Sequence, residues 1–386
     1  MKNYSFQTVP VLHFGEGCLS LLAKQIAALE ATRPFIVTDK GIVSAGLIAP
    51  VEQALASAGL TALIFDAVVA DPSEAVVQQA IDAAKAAEVD IVIGLGGGSS
   101  LDTAKVVAAL AVDGAQKLSD IYGVEQLARK GLPTILIPTT SGTGSEVTAI
   151  SILTTGERTK AGIVSPHLFA DVAILDPLLT LGLPADVTAA TGIDAMVHAI
   201  EAYTGRHAKN PTSDMLAIEA LKLLTAHIET ACYDGGNLAA REAMLRGSML
   251  AGQAFANSPV AAIHALAYPL GGIYHIPHGL SNALVMPHIM RFNLSAAAAH
   301  YAELADALHI SKTGPNSVEA RAQELIDYLE NLAVTVKAPR RLRELGIGED
   351  AVDELAEAAM LQTRLLVNNP RELNLADAKR IYNNAW

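Results

Sequence analysis

The chain has 386 residues, 51% of them hydrophobic and 17% charged, with a formal net charge of −13. That balance excludes a disordered chain, and it disfavours nucleic acid and anionic membranes as partners, since both select basic surfaces. Two cysteines far apart (Cys18 and Cys232), no apolar leader after Met1, and no apolar run of the roughly 18–20 residues that cross a bilayer lead us to expect a cytoplasmic protein without a membrane segment. The small charged fraction leaves little polar surface to cover so large a core, so a homodimer or higher homo-oligomer is expected.

Residues 4–14 read as an edge hairpin ended by Gly15 and Gly17. A βα rhythm then begins. Phe35–Thr38 is an apolar strand, a helix is expected near 44–58 with Gly59 as its stop, and Leu60–Phe65 is a second strand. Asp71, Pro72 and Ser73 open a helix to about Ala87, and Asp90–Leu95 is a third strand. Strands apolar throughout that alternate with helices indicate a parallel sheet covered on both faces.

The third strand runs into Gly96-Gly97-Gly98-Ser99-Ser100, followed by Leu101-Asp102-Thr103-Ala104-Lys105. A glycine loop entering a helix N-terminus lets backbone approach a phosphate, and the free N–H groups favour its charge. A tight turn with a serine cap is the alternative, and three consecutive glycines favour the phosphate. The pattern differs from the usual dinucleotide fingerprint, which follows the first strand and has its acid about 20 residues later. Here the candidate acid, Asp39, ends an earlier strand. Asp39 could accept hydrogen bonds from an adenosine ribose and repel a 2′-phosphate, which selects NAD over NADP, or it could simply cap the next helix.

Pro133–Pro138 is another strand, which empties into a loop of hydroxyls and glycines from Thr139 to Glu146. Its small donors, Ser145 among them, suit phosphates or a nicotinamide amide. Short strands are expected at 148–155, 160–164 and Val172–Leu175. From about Pro184 strand signals vanish. Residues 212–231 repeat apolar positions at Leu216, Ala220, Leu224 and Ile228, and 317–334 do so at Val318, Ala322, Leu325, Leu329 and Leu332, with Asn316 and Glu319 placed as a capping pair. The expected organisation is therefore an α/β domain over residues 1–183 and an all-α domain over 184–386.

Within the helical half, Gly192–Glu201 carries Asp194 and His198 four residues apart, hence on one helix face. Such a pair alone is as readily a solvated acid and a core-edge imidazole. Its neighbours Ile193, Ala195, Met196, Val197, Ala199 and Ile200 are apolar, however, and a charge set among them needs a partner. The stretches His264–Pro269 and His275–Gly279 offer more imidazoles in an apolar setting. Two of them would complete a His₃Asp set suited to Fe²⁺, Zn²⁺ or a related cation.

Read whole, the chain resembles the iron-containing (group III) alcohol dehydrogenase family over essentially its full length. The resemblance rests on Gly96–Ser99, Pro138–Thr143, Gly192–Glu201, His264–Ala267, Pro277-His278-Gly279 and Asn369-Pro370-Arg371. It implies an N-terminal dinucleotide-binding domain followed by a helical, dehydroquinate synthase-like metal domain. It implies Asp194, His198, His264 and His278 as metal ligands, with Fe²⁺ the expected ion and Zn²⁺ an alternative. It implies Asp39, Gly97, Gly98, Ser99, Asp102, Thr139, Thr140, Ser145, Lys160, Leu179 and Leu183 as neighbours of NAD.

One position departs from the family pattern. Many members carry a histidine four residues after the third ligand, where this chain has Tyr268. Tyr268 and His275 are the candidates for the proton relay; the resemblance adds a hint about substrate, since some family members that act on hydroxy acids or aldehydes with acidic tails carry tyrosine in this place. Phe255 and the segment from Leu361 to Thr363 are expected to line the pocket. The activity implied is metal-dependent NAD(H) oxidoreduction between a small alcohol and its aldehyde or ketone. Alternatives on the same fold are a hydroxyacid dehydrogenase, a maleylacetate reductase-like enzyme and a lyase related to dehydroquinate synthase. The presence of all four ligands argues against a metal-free reductase, and the few basic residues between 184 and 290 argue against the lyase. A noncatalytic nucleotide-binding assembly protein is the remaining alternative.

Overall fold

The computed structural model describes residues 3–156, 159–311 and 317–386, and the chain divides into two compact units. One is Thr8–Leu183; the other is Pro184–Trp386 together with the N-terminal residues through Gln7.

The first unit is built on nine strands among the described residues: β1 (Val11–Phe14), β2 (Pro34–Asp39), β3 (Leu63–Val68), β4 (Ile91–Gly96), β5 (Gly123–Val124), β6 (Thr134–Pro138), β7 (Ile150–Thr155), β8 (Thr159–Val164) and β9 (Val172–Leu175). Its helices are α1 (Leu22–Ala28), α2 (Lys40–Ser44), α3 (Ile48–Ala56), α4 (Glu74–Ala86) and α5 (Gly98–Leu110). Six strands form an all-parallel sheet in the order β1-β9-β6-β4-β2-β3. Every residue of β4, β6 and β9 is buried, as their unbroken apolar sequences require. The chain runs outward from β2 to β3, then returns to lay β4, β6 and β9 on the other side of β2. The topological switch point therefore lies between β2 and β4, whose carboxyl ends are Asp39 and Gly96. In open parallel sheets this crevice is where ligands bind.

Several local expectations are corrected. Residues 4–14 form no hairpin: only Val11–Phe14 is a strand, and it pairs in parallel with β9. The preceding residues find partners in the helical unit. Asn257 accepts from the Gln7 N–H (2.7 Å) and donates to its carbonyl (2.8 Å), and the Tyr4 hydroxyl meets Thr212 at 2.8 Å. A side-chain amide thus satisfies the backbone that a hairpin would have paired. The single helix expected near 44–58 is two, α2 and α3, separated at Gly46, whose φ of +74° breaks the helix. The second strand runs from Leu63 rather than Leu60. The two-residue strand β5 had no sequence signal, and it joins β8 and β7 in a small second sheet.

The second unit is helical: α6 (Ala185–Thr204), α7 (Pro211–Tyr233), α8 (Leu238–Asn257), α9 (Ala262–Tyr274), α10 (His278–Ala307), α11 (Val318–Thr335), α12 (Val352–Met360), α13 (Thr363–Leu366) and α14 (Leu375–Ala385). From Gly192 to Thr204 every residue of α6 is buried, so this part of the helix has no solvent face and forms the axis of the unit. Small residues allow the close packing around it. A Cβ on Gly192 would lie 2.7 Å from Met244 Cε and 2.8 Å from Ile228 Cδ1. A Cβ on Gly279 would lie 2.0 Å from the Ala190 carbonyl oxygen. Gly279 thereby lets the first turn of α10 touch α6. The cap of α11 is Ser317, which accepts from the Ala320 N–H; Asn316, expected as a capping partner, lies outside the described residues. Asn369 and Asn293 exchange reciprocal amide hydrogen bonds (2.8 and 3.0 Å), and Arg371 donates to the Phe292 carbonyl, so the closing Asn-Pro-Arg clamps the chain end to α10. Among the described residues no helix is long and apolar enough to cross a membrane.

Candidate active site

In the helical unit, Asp194 and His198 stand one turn apart on α6, His264 enters from the start of α9, and His278 is the first residue of α10. The Nε2 atoms of His198, His264 and His278 lie 3.9, 3.8 and 3.5 Å from Asp194 Oδ1. Ligand bonds of about 2.0–2.2 Å in a tetrahedral site put neighbouring donor atoms roughly 3.3–3.6 Å apart. The donor atoms of Asp194, His198 and His264 all lie within 4.8 Å of one another, a group that could hold a divalent cation, and His278 stands beside it. Asp194, His198 and His264 are buried, and His278 keeps 28% of its side chain exposed and forms the open side.

The imidazoles are fixed in place. Glu201, two turns after Asp194 on the same helix, accepts from His264 Nδ1 at 2.7 Å. It also accepts from the backbone N–H groups of Ala261 (2.8 Å) and Ile263 (2.6 Å). With its proton held at Nδ1, His264 presents the Nε2 lone pair toward Asp194. Phe255 stacks on the His198 ring (4.2 Å, 18°), and His198 stacks on His264 (4.7 Å). Burial pushes the Asp194 carboxyl up; the three imidazoles and a hydrogen bond from Asn282 outweigh it and hold the carboxyl below its ordinary range.

The two relay candidates are placed differently. The Tyr268 ring lies one turn beyond His264 and 5.7 Å from the His278 ring, and it is buried. His275 is exposed at the C-terminal cap of α9, in the left-handed conformation (φ +55°), and no described contact brings it into the cluster. Leu361 is 76% exposed.

In the α/β unit the glycine loop sits at the switch point. Gly96 has φ +143°, which excludes a side chain, and Gly97 precedes α5 without any side-chain cap, so the serine-cap alternative is not what forms. A helix start without a side-chain cap is the kind that can receive an anion. A Cβ on Gly98 would meet Thr143 Cγ2 at 2.7 Å, and one on Gly97 would touch Thr140, so the hydroxyl-rich loop lies directly against the glycines. The Thr139 N–H donates to the Gly96 carbonyl (3.0 Å), while the Thr139 hydroxyl is buried without a described partner. Asp39 caps α2 through Ile42 (3.1 Å) and accepts from Ser100 Oγ (3.1 Å), which places its carboxylate beside Gly96. Asp102 clasps two segments: one oxygen accepts from Ser145 Oγ (2.5 Å) and the other from the Ile152 N–H (2.8 Å). Ser99 lies in the first turn of α5. Lys160 pairs with Asp71 at 2.6 Å, Leu179 belongs to the sheet core, and Leu183 ends the unit half-buried.

Four polar residues of these sites went unassigned in the sequence: Glu201, Asn282, Lys105 and Glu146. Lys105 is fully buried under the hydroxyl-rich loop, where it donates to the Ile150 carbonyl (2.7 Å) and Thr148 Oγ1 (3.2 Å). Burial depresses its ammonium, opposed by Asp102 and Glu146, and burial raises the Glu146 carboxyl to about 7. The available signal was polarity: a lysine and a glutamate inside segments otherwise built of small and apolar residues.

A glycine loop at a sheet switch point and a buried carboxylate–imidazole set, in one chain, define a nucleotide-dependent metalloenzyme. Comparison with known proteins specifies the class. Residues 10–177 match the family model "Iron-containing alcohol dehydrogenase", and residues 188–386 match "Fe-containing alcohol dehydrogenase family, C-terminal". The chain belongs to the iron-containing alcohol dehydrogenase family. It is 42% identical to long-chain-alcohol dehydrogenase 1 of Geobacillus thermodenitrificans, covering 98% of this chain and 95% of that protein. The crystal structure of a 1,3-propanediol oxidoreductase superposes with a TM-score of 0.95 at 34% identity, all of both chains being covered. Sulfoacetaldehyde reductase from Bifidobacterium kashiwanohense, solved in complex with NAD+, gives a TM-score of 0.88 at 29% identity, covering 100% of this chain and 99% of that one.

Proposed function

We propose that the protein is a metal-dependent NAD(H) oxidoreductase that interconverts a small alcohol and its aldehyde or ketone. The observation that carries this reading is the convergence of three imidazole nitrogens on Asp194 Oδ1, with the lone pair of His264 aimed by Glu201. Asp194, His198, His264 and His278 would hold the cation, whose Lewis acidity polarises a carbonyl or makes an alcohol more acidic, while the nicotinamide carries the hydride.

The chain's own residues do the rest. The N-terminus of α5 with Gly97, Gly98 and Ser99 binds the pyrophosphate. Each Asp39 oxygen keeps a free lone pair for a ribose hydroxyl, and its charge repels a 2′-phosphate, which selects NAD. Thr139, Thr140 and Ser145 position the coenzyme from the hydroxyl-rich loop, which Asp102 ties to α5. Lys160, Leu179 and Leu183 complete the cofactor neighbourhood. Tyr268, whose ring lies near that of His278, is the candidate to hold or move the substrate proton, and His275 is the less favoured candidate because it stands exposed at a helix end. Phe255 walls the site against His198. The unit Thr8–Leu183 is thus the dinucleotide-binding part and the helical unit the metal part. We place the enzyme in the cytoplasm as a homodimer, on its few charges and unpatterned cysteines.

The test is NADH formation and consumption over a panel of primary alcohols, diols, and aldehydes with and without acidic tails. The acidic arm is included because of Tyr268 and of the resemblance to sulfoacetaldehyde reductase. Turnover of at least one alcohol–aldehyde couple with NAD(H) is expected; NADH binding without turnover of any member would refute the assignment.

A further inference from the structure

Asn282 stands one turn after His278 on α10 and is completely buried. Its Nδ2 lies 2.7 Å from Asp194 Oδ1 and 3.4 Å from both His264 Nε2 and His278 Nε2. Two N–H bonds are therefore shared among three of the four candidate ligands. The contact with Asp194 fixes which way the amide points, because a carbonyl oxygen at 2.7 Å from a carboxylate would repel it. The amide oxygen is consequently turned away, and it is buried without a hydrogen-bond partner among the described residues. An unpaired buried carbonyl is a net cost to the fold, and a leucine of similar size at this position, among Ala283, Leu284 and Val285, would avoid it. Stability alone does not explain an asparagine here.

We propose that Asn282 is a positioning residue for the cation, and the proposal rests on reading Asp194, His198, His264 and His278 as its ligands. The amide holds the Asp194 carboxylate in the orientation that turns Oδ1 toward the three imidazoles, while its longer 3.4 Å approaches to His264 Nε2 and His278 Nε2 give way when those single lone pairs take a cation. Affinity for the metal is thereby improved at the expense of one unsatisfied oxygen. Hydrogen bonds to metal-ligating carboxylates have this effect in general, and losing one lowers affinity by about 10–100-fold.

The experiment uses full-length protein stripped of metal and titrated anaerobically with Co²⁺ against a competing chelator, with visible absorbance reporting the coordination sphere. Thermal melts are recorded with and without Co²⁺. Wild type is expected to bind one Co²⁺ per chain and His264→Ala to bind none tightly; failure of either overturns the ligand reading, and this inference with it. Given that result, Asn282→Leu should bind Co²⁺ about 10–100-fold more weakly, while its metal-free form melts no lower than wild type. Asn282→Asp, which sets a second carboxylate beside Asp194, should melt lower than wild type without metal and recover that loss on loading. Unchanged Co²⁺ affinity in Asn282→Leu, or melting deficits that are equal with and without Co²⁺ in both variants, would show a packing residue only and overturn the proposal.

Discussion

Glu201 supports a quantitative prediction about how the helices hold the site. Its carboxylate accepts three buried hydrogen bonds, from His264 Nδ1 and from the N–H groups of Ala261 and Ile263. Glu201→Leu would orphan all three donors, and at about 1–3 kcal/mol each the loss would consume most of a stability that is typically about 5–15 kcal/mol. Glu201→Gln is the informative change. It keeps the shape and one acceptor oxygen but points an NH₂ group at a buried donor, so a loss of roughly 2–4 kcal/mol is expected. It also removes the charge-assisted bond that fixes the His264 tautomer, so metal affinity should fall by about 10–100-fold. The assay pairs urea unfolding of the metal-free protein with competitive metal titration. If Glu201→Gln destabilised the protein while leaving metal affinity at the wild-type value, Glu201 would anchor the 261–263 turn only, and the argument that it aims His264 would fail.

Gly279→Ala drives a Cβ into the Ala190 carbonyl, where backbone meets backbone and neither side chain can yield. Overpacking of this kind costs about 1–3 kcal/mol or more, and because His278 is the adjacent residue, calorimetry should show a lowered Tm together with weaker metal retention. Gly98→Ala pushes on Thr143 at the head of α5; fluorescence titration should show weaker NADH binding with metal content unchanged. His288 is held down to about 4 by burial and Arg291, with Glu330 opposing and Arg341 adding to the effect. Its unfolded form takes up a proton first, so stability is complete above about pH 6.5 and falls as pH drops toward 4, by roughly 3 kcal/mol in all. In His288→Gln the urea midpoint should lose that part of its slope between those limits.

Much of the α/β unit was legible because its parallel strands are unbroken apolar runs bounded by glycine and proline, as in Ile91–Gly96 and Thr134–Pro138. Asp194 and His198 stood out for the opposite reason, being polar in apolar surroundings, whereas the choice of His264 and His278 among the later histidines came from the family resemblance. What escaped was decided by contacts distant in sequence. Residues 4–7 turn away from the sheet because Asn257, some 250 positions on, satisfies Gln7. Glu201 lies inside the most conspicuous stretch of the chain, yet two of its partners are backbone N–H groups about sixty residues later, and such bonds leave no local pattern. Asp39 offered two readings, a helix cap and a ribose acceptor, and the cap is the one the structure shows. The same carboxylate stands beside the glycine loop.

The most direct test of a catalytic metal at Asp194, His198, His264 and His278 is turnover as a function of metal content. Wild type and His264→Ala are stripped, reloaded anaerobically with graded Fe²⁺, and assayed for bound metal and NADH formation in the same samples. Activity should rise in proportion to loading toward one ion per chain, and His264→Ala should retain neither metal nor turnover while still binding NADH. Undiminished turnover in metal-free wild type, or in His264→Ala, would contradict the account.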